Sequence, residues 1–510
     1  MGNGITQVID GRKREVAMQN SFSVRLVVVS NRLPVSLARD DKGWTVKAGA
    51  GGLVTALAPV LMNRGGLWIG WAGAAADADL KKLLGDFSQD AGYDLHPVFL
   101  SQEEIGDYYH GFSNEIIWPL FHDFQARCNF KPAYWRSYLD VNLRFAEVTA
   151  RHSRDSDYIW VHDYHLMHLA FMLRNMGVER NCGFFLHIPF PSPDIFLKLP
   201  WRDKIIRALL EYDLVGFQTH RDRRNFVECM EALVPDARHS GRGNIVSISW
   251  KNRTIRAGSF PISIDFNSFA SMAAAKDVVK SAEEIREALR HRKIILGVDR
   301  LDYTKGIPER LESIRQLFLS YPDLCEKLTF VQIAVPSREV IPEYLALKTE
   351  IEQLVGEING QFTRPGWIPI HYQYRSLPRR ELVAYYRAAD MALVTPLRDG
   401  MNLVAKEYCA ANVTQSGMLF LSEFAGAAAQ LQKVGATLVN PHDVEGVARA
   451  IQRGFYLDTR ERHSRMAKLR DSIRRNNIFW WVDSFLQAAF ARQLDDFPQD
   501  TVDFRTSTYE

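Results

Sequence analysis

The chain has 510 residues, of which 46% are hydrophobic and 24% charged, and its formal net charge at pH 7 is +3. This length suits two or three domains, and the composition is that of a globular enzyme. The near balance of charge argues against a globally basic nucleic-acid-binding protein. The sequence contains no run of about 18 apolar residues, so we expect no membrane-spanning segment.

The N-terminus and the cysteines point to a cytoplasmic location. Residues 1–23 are polar and lack the apolar core of a secretory signal, which predicts a flexible leader. The leader starts with a loose match to the myristoylation pattern, but such a short pattern is easily matched by chance. The cysteines are isolated, odd in number and without CxxC spacing, which indicates a reducing compartment. They are Cys128, Cys182, Cys229, Cys325 and Cys409.

Short apolar runs alternate with longer amphipathic stretches along the whole chain. The first series of predicted strands covers residues 26–30, 67–71, 158–162, 183–188, 214–218 and 245–248. The second series covers residues 294–299, 328–334, 370–374, 391–395, 418–422 and 436–439. Helices are predicted between them, for example at residues 307–320, 342–355 and 380–389. This alternation predicts an α/β fold with parallel sheets and crossover helices.

The two series of strands separate at residues 274–292, which are charged, rich in alanine and without strand character. We therefore predict an N-terminal domain at residues 24–270 and a C-terminal domain at residues 271–475. Both are expected to be Rossmann-like, doubly wound units that face a central cleft. Residues 476–510 contain a last predicted helix, at residues 477–497, and a tail.

Near the N-terminus, the first strand runs into a turn with Arg32 at its tip. A glycine loop at residues 49–53 (GAGGL) then precedes a predicted helix at residues 54–61. With Arg32 nearby, this loop makes a corner suited to an anion. A simple helix-entry turn explains the glycines equally well. The loop is not the GxGxxG of a dinucleotide enzyme, which argues against a dehydrogenase.

Two further segments of the first half carry unusual side chains. Residues 107–121 are dense in aromatics, which usually indicates core, but aromatic rings with polar tips also suit sugars. Residues 161–168 (VHDYHLMH) space three histidines by three, and we favour a substrate loop there over a zinc site. His187 ends an otherwise apolar strand, where a lone histidine is more often a satisfied core residue.

In the second half, residues 297–306 (GVDRLDYTKG) follow a buried strand and place Arg300 and Lys305 at its carboxyl end. Fixed cations there would stabilise the charge that a diphosphate leaving group gains. The alternative is a surface loop in which Asp299, Arg300 and Asp302 pair with one another.

Residues 395–407 (TPLRDGMNLVAKE) form the most informative segment. A buried strand, a polar turn with Asp399 and Gly400, and a helix opening at about Met401 are predicted in succession. Ligands of open α/β sheets bind at the carboxyl ends of strands, and a helix opening there directs free N–H groups at an anion. Asp399 and Glu407 add acceptors that suit hydroxyls. A phosphate cradle beside such carboxylates suits a nucleotide-sugar, although an aspartate that merely caps the helix is the simpler alternative.

No metal or other cofactor is predicted. Two Asp-x-Asp pairs occur, Asp77/Asp79 and Asp155/Asp157. The first pair lies in an alanine-rich loop, and the second precedes its strand instead of following it. Neither lies at the carboxyl end of a predicted strand, where a metal-binding pair would be expected.

These motifs together resemble the trehalose-6-phosphate synthase family of retaining glycosyltransferases (family 20), over roughly residues 25–485. The resemblance implies the GT-B arrangement of two facing Rossmann-like domains, with the last helix returning to the N-terminal domain. It implies catalytic roles for His187, Arg300, Lys305 and Asp399. The donor would be bound by Gly51, Gly52, Arg300, Lys305, Leu377, Asp399, Gly400, Met401, Asn402, Leu403, Val404, Ala405, Lys406 and Glu407. The acceptor would be bound by Arg32, Tyr109, Trp118, Asp163 and Arg338.

The implied reaction transfers glucose from UDP-glucose, or from another nucleoside diphosphate glucose, to glucose 6-phosphate. The product would be α,α-trehalose 6-phosphate, formed by front-face attack without an enzymic nucleophile. The chain lacks an Asp-x-Asp-Gly-Thr phosphatase motif, so a separate trehalose-6-phosphate phosphatase is implied. The rivals are a glucosyltransferase acting on glycerol 3-phosphate and a non-catalytic sugar-phosphate sensor. The sequence is compatible with a homo-oligomer but does not specify the oligomeric state.

Overall fold

Two large sheets, both dominated by parallel strands, make up the framework of the molecule. The structure is a computed structural model that describes residues 24–40, 43–49, 52–73, 78–338 and 341–491. The strands in these ranges are β1 Leu26–Arg32, β2 Val35–Asp40, β3 Gly43–Ala48, β4 Gly66–Trp71, β5 Asp94–Val98, β6 Tyr158–His162, β7 Asn181–Phe185, β8 Leu214–Phe217, β9 Arg238–Ser240, β10 Ile245–Trp250, β11 Arg253–Ser259, β12 Lys293–Arg300, β13 Leu328–Val335, β14 Ile370–Tyr374, β15 Met391–Val394, β16 Met418–Ser422 and β17 Thr437–Val439.

Helices connect most of these strands. They are α1 Gly52–Arg64, α2 Ala78–Ala91, α3 Gln102–Glu104, α4 Trp118–Phe121, α5 Pro132–His152, α6 Leu169–Asn175, α7 Pro193–Phe196, α8 Arg202–Leu209, α9 His220–Leu233, α10 Phe266–Ala274, α11 Lys276–Ala288, α12 Ile307–Ser320, α13 Pro342–Phe362, α14 Arg379–Ala388, α15 Leu403–Ala411, α16 Gly426–Leu431, α17 Val444–Phe455, α18 Thr459–Arg475 and α19 Ile478–Phe490. A π-helix, Ile105–Ile117, lies between α3 and α4. Short 3-10 turns cover Gln125–Arg127, Tyr164–Leu166, Tyr303–Lys305, Pro322–Leu324 and Gln432–Val434.

Each large sheet contains the doubly wound strand order. The second sheet runs β14-β13-β12-β15-β16-β17, and all its pairs are parallel. The first sheet has the same order in β5-β4-β1-β6-β7-β8 and continues through β11, β10 and β9. In such sheets ligands bind where the strand order reverses, at the carboxyl ends of the strands. Those switch points lie between β1 and β6 in the first sheet and between β12 and β15 in the second.

The predicted α/β fold is confirmed, and the predicted strands are present with small shifts of their ends. The strand predicted at residues 183–188 ends at Phe185, so His187 lies in the loop that follows it. The helix expected to open at about Met401 begins at Leu403. Five strands were not predicted: β2, β3, β5, β9 and β11.

The last helix, α19, packs on the first sheet although it follows the second in the chain. Its Trp481 and Phe485 are fully buried, and Phe485 stacks on Trp160 with ring centroids 4.3 Å apart. The Trp481 indole N–H donates to the Phe260 carbonyl at 3.1 Å. The chain therefore crosses between the two sheets a second time before it reaches residue 491.

The domain boundary predicted at residues 270/271 stays a prediction. Helix α10 runs across that position and packs on α15 of the second half. The leader at residues 1–23, Gly51, Asp77 and residues 492–510 lie outside the described residues. Among the described residues, no helix combines the length and the apolarity needed to cross a membrane.

Candidate active site

A buried arginine fastens the two strand ends at the switch point of the second sheet. Arg310 donates at 2.6 Å to the carboxylate of Asp299, the next-to-last residue of β12, and at 2.9 Å to the hydroxyl of Thr395, which follows β15. It also donates to Gln332 on β13 at 2.9 Å. Asp299 is thus committed to Arg310 and not to its neighbour Arg300, contrary to the surface-loop alternative.

Lys305 and Asp399 meet at this switch point. The Lys305 ammonium lies 2.6 Å from the Asp399 carboxylate, and only 8% of Lys305 is exposed. Asp399 also accepts a hydrogen bond from the Asn402 amide at 3.2 Å. Burial opposes ionisation of Asp399, but the charge and hydrogen bond of Lys305 outweigh burial and lower its pKa. The pair therefore presents an ionised carboxylate beside a fixed cation.

The turn after Asp399 directs a helix N-terminus at the same place. Asn402 has φ 76°, and its side chain accepts from the Ala405 N–H at 3.3 Å, which caps α15. The amides of Leu403 and Val404 stand in the first turn, which has no intrahelical acceptor. Met401 is buried, and its carbonyl accepts from Ala427 at 2.8 Å. The arrangement is a helix start suited to a phosphate group.

Gly400 contacts the other half of the molecule. A Cβ at this position would lie 2.2 Å from the His187 carbonyl oxygen and 3.0 Å from Ile188 Cα. From the sequence, Gly400 was expected to let a diphosphate approach the backbone closely. The structure adds a different requirement, because the backbone that follows β7 occupies the space beside Gly400.

The neighbouring side chains of Lys406 and Glu407 contact different parts of the molecule. The fully buried Lys406 ammonium donates to the Ile262 carbonyl at 2.7 Å, and burial lowers its pKa to about 7. Its side chain therefore ties α15 to the connection that follows β11. Glu407 accepts from the Tyr386 hydroxyl at 2.8 Å, and burial raises its pKa. Leu377 is half-buried in the loop that follows β14.

At the switch point of the first sheet, Arg32 leaves the end of β1 and stacks on aromatic rings. Its guanidinium lies 4.1 Å from the centre of the Trp71 ring and 5.6 Å from that of Tyr109. The indole N–H of Trp71 is buried and has no partner in the described part of the chain. Gly52, the first residue of α1, follows this strand and the β2–β3 hairpin.

The aromatic segment of the sequence is a π-helix. Ile105–Ile117 carries Tyr109, and Trp118 opens the α-helical turn that follows it. π-Helical segments are rare and frequently occur at functional sites. Sequence reasoning identified the aromatic density but not this conformation.

Trp118 brings the two halves together. The guanidinium of Arg338 lies 4.3 Å from the centre of the Trp118 ring, and that of the exposed Arg300 lies 5.6 Å from it. Arg338 also forms a 3.3 Å ion pair with the buried Asp302 and donates to the Tyr344 hydroxyl. Arg300 at the end of β12 and Arg338 after β13 thus converge on an aromatic ring of the first half.

Asp163 follows β6 directly in a strained backbone conformation. Its φ and ψ are 75° and 166°, and its N–H donates to the Phe185 carbonyl at 2.8 Å. Its carboxylate accepts from the backbone N–H of His187 at 3.2 Å. Burial raises the pKa of Asp163 to about 7. Asp163 and His187 are therefore fixed to each other across β6 and β7.

His122 is a residue of this site that the sequence did not reveal. Nδ1 of its ring lies 2.7 Å from the Trp118 carbonyl oxygen. Because a carbonyl oxygen can only accept, Nδ1 carries the proton and donates. Burial, together with the charge of Lys305, lowers the pKa of His122 to about 4. A neutral imidazole consequently stands near Lys305 and Asp399. Nearby, Arg398 and Asp123 form a 3.3 Å ion pair between the two halves.

The three histidines of residues 161–168 do not converge. His162 lies against His187, His165 packs on Tyr164 with tilted rings, and His168 meets Trp135 edge-on. Among the described residues, no group of His, Cys, Asp and Glu is arranged to hold a metal ion. Asp157 is engaged by Arg25 at 2.7 Å, and the absence of a metal requirement stays a prediction.

Two doubly wound units whose switch points meet at one cleft form the GT-B architecture, as the sequence led us to expect. One side of the cleft has a helix start suited to phosphate, and the other side has aromatic and cationic side chains. This combination is typical of an enzyme that transfers sugars. The molecule is a glycosyltransferase. The chain belongs to glycosyltransferase family 20, whose model matches residues 24–491.

Curated relatives agree over nearly the whole length. The chain is 44% identical to the trehalose-6-phosphate synthase of Mycobacterium sp. (strain KMS) over 468 residues, which cover 91% of this chain and 94% of the relative. It is also 44% identical to that of Mycobacterium tuberculosis (strain ATCC 25618 / H37Rv) over 488 residues, 94% of this chain and 97% of the relative.

Solved structures show the same fold. A crystal structure of an alpha,alpha-trehalose-phosphate synthase (UDP-forming) from Burkholderia xenovorans in complex with glucose-6-phosphate is 34% identical, with a TM-score of 0.82. That similarity covers 91% of this chain and 99% of the other. An E. coli structure named as trehalose-6-phosphate bound with UDP-2-fluoro glucose is 37% identical, with a TM-score of 0.82 and coverage of 91% and 98%.

Proposed function

We propose that the chain transfers glucose from UDP-glucose to glucose 6-phosphate and forms α,α-trehalose 6-phosphate with retention at the donor carbon. The observation that carries the proposal is the meeting of two sets of side chains at one cleft. Lys305 and Asp399 stand on one side, and Trp118 is stacked by Arg338 from across the cleft. The names and bound ligands of the relatives support the same substrates.

On the donor side, the diphosphate lies at the start of α15 and beside Arg300 and Lys305. These cations stabilise the leaving group more as its charge grows, which lowers the barrier of the chemical step. Asp399 is kept ionised by Lys305, so it accepts hydrogen bonds from glucose hydroxyls. Glu407 uses one carboxylate oxygen for Tyr386 and has the other for a donor hydroxyl.

On the acceptor side, the phosphate of glucose 6-phosphate is held by Arg32, Tyr109 and Arg338. A guanidinium fork matches phosphate geometry, and its stacking on an aromatic ring fixes the plane of the fork. Trp118 provides a flat surface for the sugar ring. Asp163, at the end of β6, accepts from the acceptor hydroxyls.

The reaction needs no enzymic nucleophile. The bond between the glucose anomeric carbon and the diphosphate breaks, and the acceptor hydroxyl attacks from the same face. The proton of that hydroxyl passes to the departing phosphate oxygen, so charge and atoms balance within the substrates. His187 fixes the donor ring near the reacting carbon. The phosphate of the product remains, and a separate phosphatase is the class of enzyme that would remove it.

Release of nucleoside diphosphate by the purified full-length chain tests this function. With UDP-glucose as donor, we expect release that depends on glucose 6-phosphate. Parallel reactions omit the acceptor or replace it with glycerol 3-phosphate, and others replace the donor with ADP-glucose or GDP-glucose. Equal or better turnover with glycerol 3-phosphate would contradict the acceptor. If no donor gives nucleoside diphosphate release although glucose 6-phosphate binds measurably, the protein would be a sugar-phosphate sensor instead.

A further inference from the structure

His162 touches the histidine that the proposed function places at the donor ring. His162 is the last residue of β6, and its register partner on β7 is Phe185, two residues before His187. Nδ1 of His162 lies 3.2 Å from Nε2 of His187, within hydrogen-bond distance. The two ring centroids are 5.4 Å apart. The pair therefore bridges the two strand ends through side chains as well as through the backbone.

Both imidazoles are neutral. His162 is fully buried, and burial, with the neighbouring His187, lowers its pKa well below the ordinary value. Burial also lowers the pKa of His187 to about 3. A neutral imidazole has one donor and one acceptor nitrogen, so the contact can exist in only two ways. Either His162 donates to His187, or His187 donates to His162.

The surroundings of the second His162 nitrogen decide between them. Nε2 of His162 is buried and has no hydrogen-bond partner in the described part of the chain. An N–H group buried without an acceptor is rarer and more costly than an unused lone pair. The proton of His162 therefore resides on Nδ1. Consequently, His162 donates to Nε2 of His187, and the proton of His187 resides on its own Nδ1.

The remaining nitrogen of His187 is available to a ligand. Its Nδ1 bonds to no group in the described ranges and is not among the buried atoms there that lack a partner. The backbone N–H of His187 is meanwhile fixed by Asp163 at 3.2 Å. His187 thus has one orientation and one free N–H.

We propose that His162 is a positioning residue that sets the tautomer of His187, so that His187 presents an N–H donor to a hydroxyl oxygen of the sugar. The inference deepens the proposed function and rests on it for the identity of the sugar. His162 itself touches no substrate. Without it, the His187 ring can rotate and exchange tautomers, and only a fraction of molecules would present the donor.

The tautomer is measured on the unaltered protein. In histidine labelled with ¹⁵N, long-range ¹H–¹⁵N spectra near neutral pH distinguish a protonated from a bare ring nitrogen, and His187→Ala identifies the signals. We expect a proton on Nδ1 of His187 and a bare Nε2. A proton on Nε2, or a charged imidazolium, would overturn the proposal. This NMR measurement needs no turnover, so it determines the tautomer of His187 even if the protein does not catalyse the proposed reaction.

A double-mutant cycle measures the consequence for transfer. His162→Leu is expected to lower kcat/KM by about 10- to 100-fold, the range seen when partners that orient functional histidines are removed. In a His187→Ala background the same change should cost less than about twofold, since coupled residues are not additive. Equal losses in both backgrounds would refute the coupling.

His162→Asn is the conservative variant. The asparagine amide nitrogen is attached to Cγ, as Nδ1 of histidine is, so it can keep the donor to His187. We expect kcat/KM within about threefold of the wild type and an unchanged His187 tautomer, whereas a merely structural role for the imidazole predicts equal losses for asparagine and leucine. If His162→Leu does not fold, the His162→Asn spectrum and the wild-type spectrum still decide the matter.

Discussion

Lys305 is the cation best placed to act on a leaving group, because it is buried beside Asp399 and cannot swing into solvent. Replacing Lys305 by alanine should lower the single-turnover rate of glucosyl transfer by about 10²–10³, the usual cost of losing one fixed charge-stabilising group. Lys433→Ala, which removes an exposed lysine from a 3-10 turn of the same half, should leave the rate unchanged. A near-normal rate for Lys305→Ala would remove this residue from the mechanism.

Asp163 predicts a pH dependence of stability. Its pKa is about 7 in the folded protein because of burial, against about 3.9 in an unfolded chain. The group therefore stabilises the fold below about pH 4, and that contribution is lost as the pH rises through about 7. Asp163→Asn stays neutral throughout, and asparagine has the same shape as the aspartate that already adopts this backbone conformation.

Denaturant unfolding of the ligand-free protein at several pH values tests the direction of this change in the free energy of unfolding. Relative to the wild type, Asp163→Asn should gain stability as the pH rises from 4 towards 7, by up to roughly 4 kcal/mol for a shift of about three pH units. The gain should level off above pH 8. A difference that is constant with pH, or that shrinks as the pH rises, would show that the Asp163 carboxyl is not held in its protonated form.

At the residue scale, sequence pattern identified polar groups at strand ends but not those supplied by distant elements. Arg300, Lys305, Asp399 and Asp163 follow predicted strands, so their convergence could be anticipated. His122 could not, since its place near Lys305 depends on how a π-helix is packed. Arg310 and Trp71 were equally hidden, because a residue within an amphipathic helix and the last residue of an apolar strand give no local sign of the contacts they make.

Gly400 is the clearest element-scale constraint. Its neighbours are backbone atoms of the loop after β7, so a Cβ there cannot be accommodated by a side-chain rotation. Gly400→Ala should displace the turn before α15, lower kcat/KM and destabilise the protein by about 1–3 kcal/mol, the range for overpacking.

Gly360→Ala is the matched control for that variant. Gly360 lies in helix α13, and a Cβ there would meet no heavy atom within 4 Å. Alanine should therefore stabilise the protein by about 0.5–1 kcal/mol without affecting turnover. Thermal unfolding and kcat/KM of the two variants give the comparison. If Gly400→Ala behaves like Gly360→Ala, the backbone contact with His187 does not constrain the site.

The strands that pattern reasoning missed have identifiable causes. β11 follows the predicted strand β10 in a hairpin whose two turn residues, Lys251 and Asn252, have φ 47° and 59°. Such turns usually contain glycine, so the pair Lys-Asn did not signal one. β2 and β3 form a separate hairpin outside the large sheets, and β9 is exposed along its length. These strands lack the apolar run by which the buried parallel strands were found.

At the scale of the whole molecule, the first sheet is completed by the last helix. Phe485 of α19 is fully buried against Trp160 and Phe185, so truncating it removes core packing far from it in sequence. Phe485→Ala should destabilise the protein by about 3–5 kcal/mol. Phe479→Ala on the same helix, where the ring is 40% exposed, should change stability by less than about 0.5 kcal/mol. Equal effects on thermal unfolding would contradict the packing.

The two halves also meet at the cleft, through Trp118 with Arg338 and through Asp123 with Arg398. These contacts join groups that the sequence separates by more than two hundred residues. Parallel strands and their order could be inferred from pattern, but contacts across the cleft depend on the relative placement of two sheets. This relative placement could not be predicted from the sequence, and it forms the proposed transfer site.

The central claim is that one cleft transfers glucose to a sugar phosphate with retention. NMR of the product formed from glucose 6-phosphate and UDP-glucose labelled with ¹³C at the anomeric carbon tests it most directly. We expect a single non-reducing disaccharide phosphate in which both anomeric centres are α. Free labelled glucose as the only product, or a β-linked disaccharide, would contradict the account.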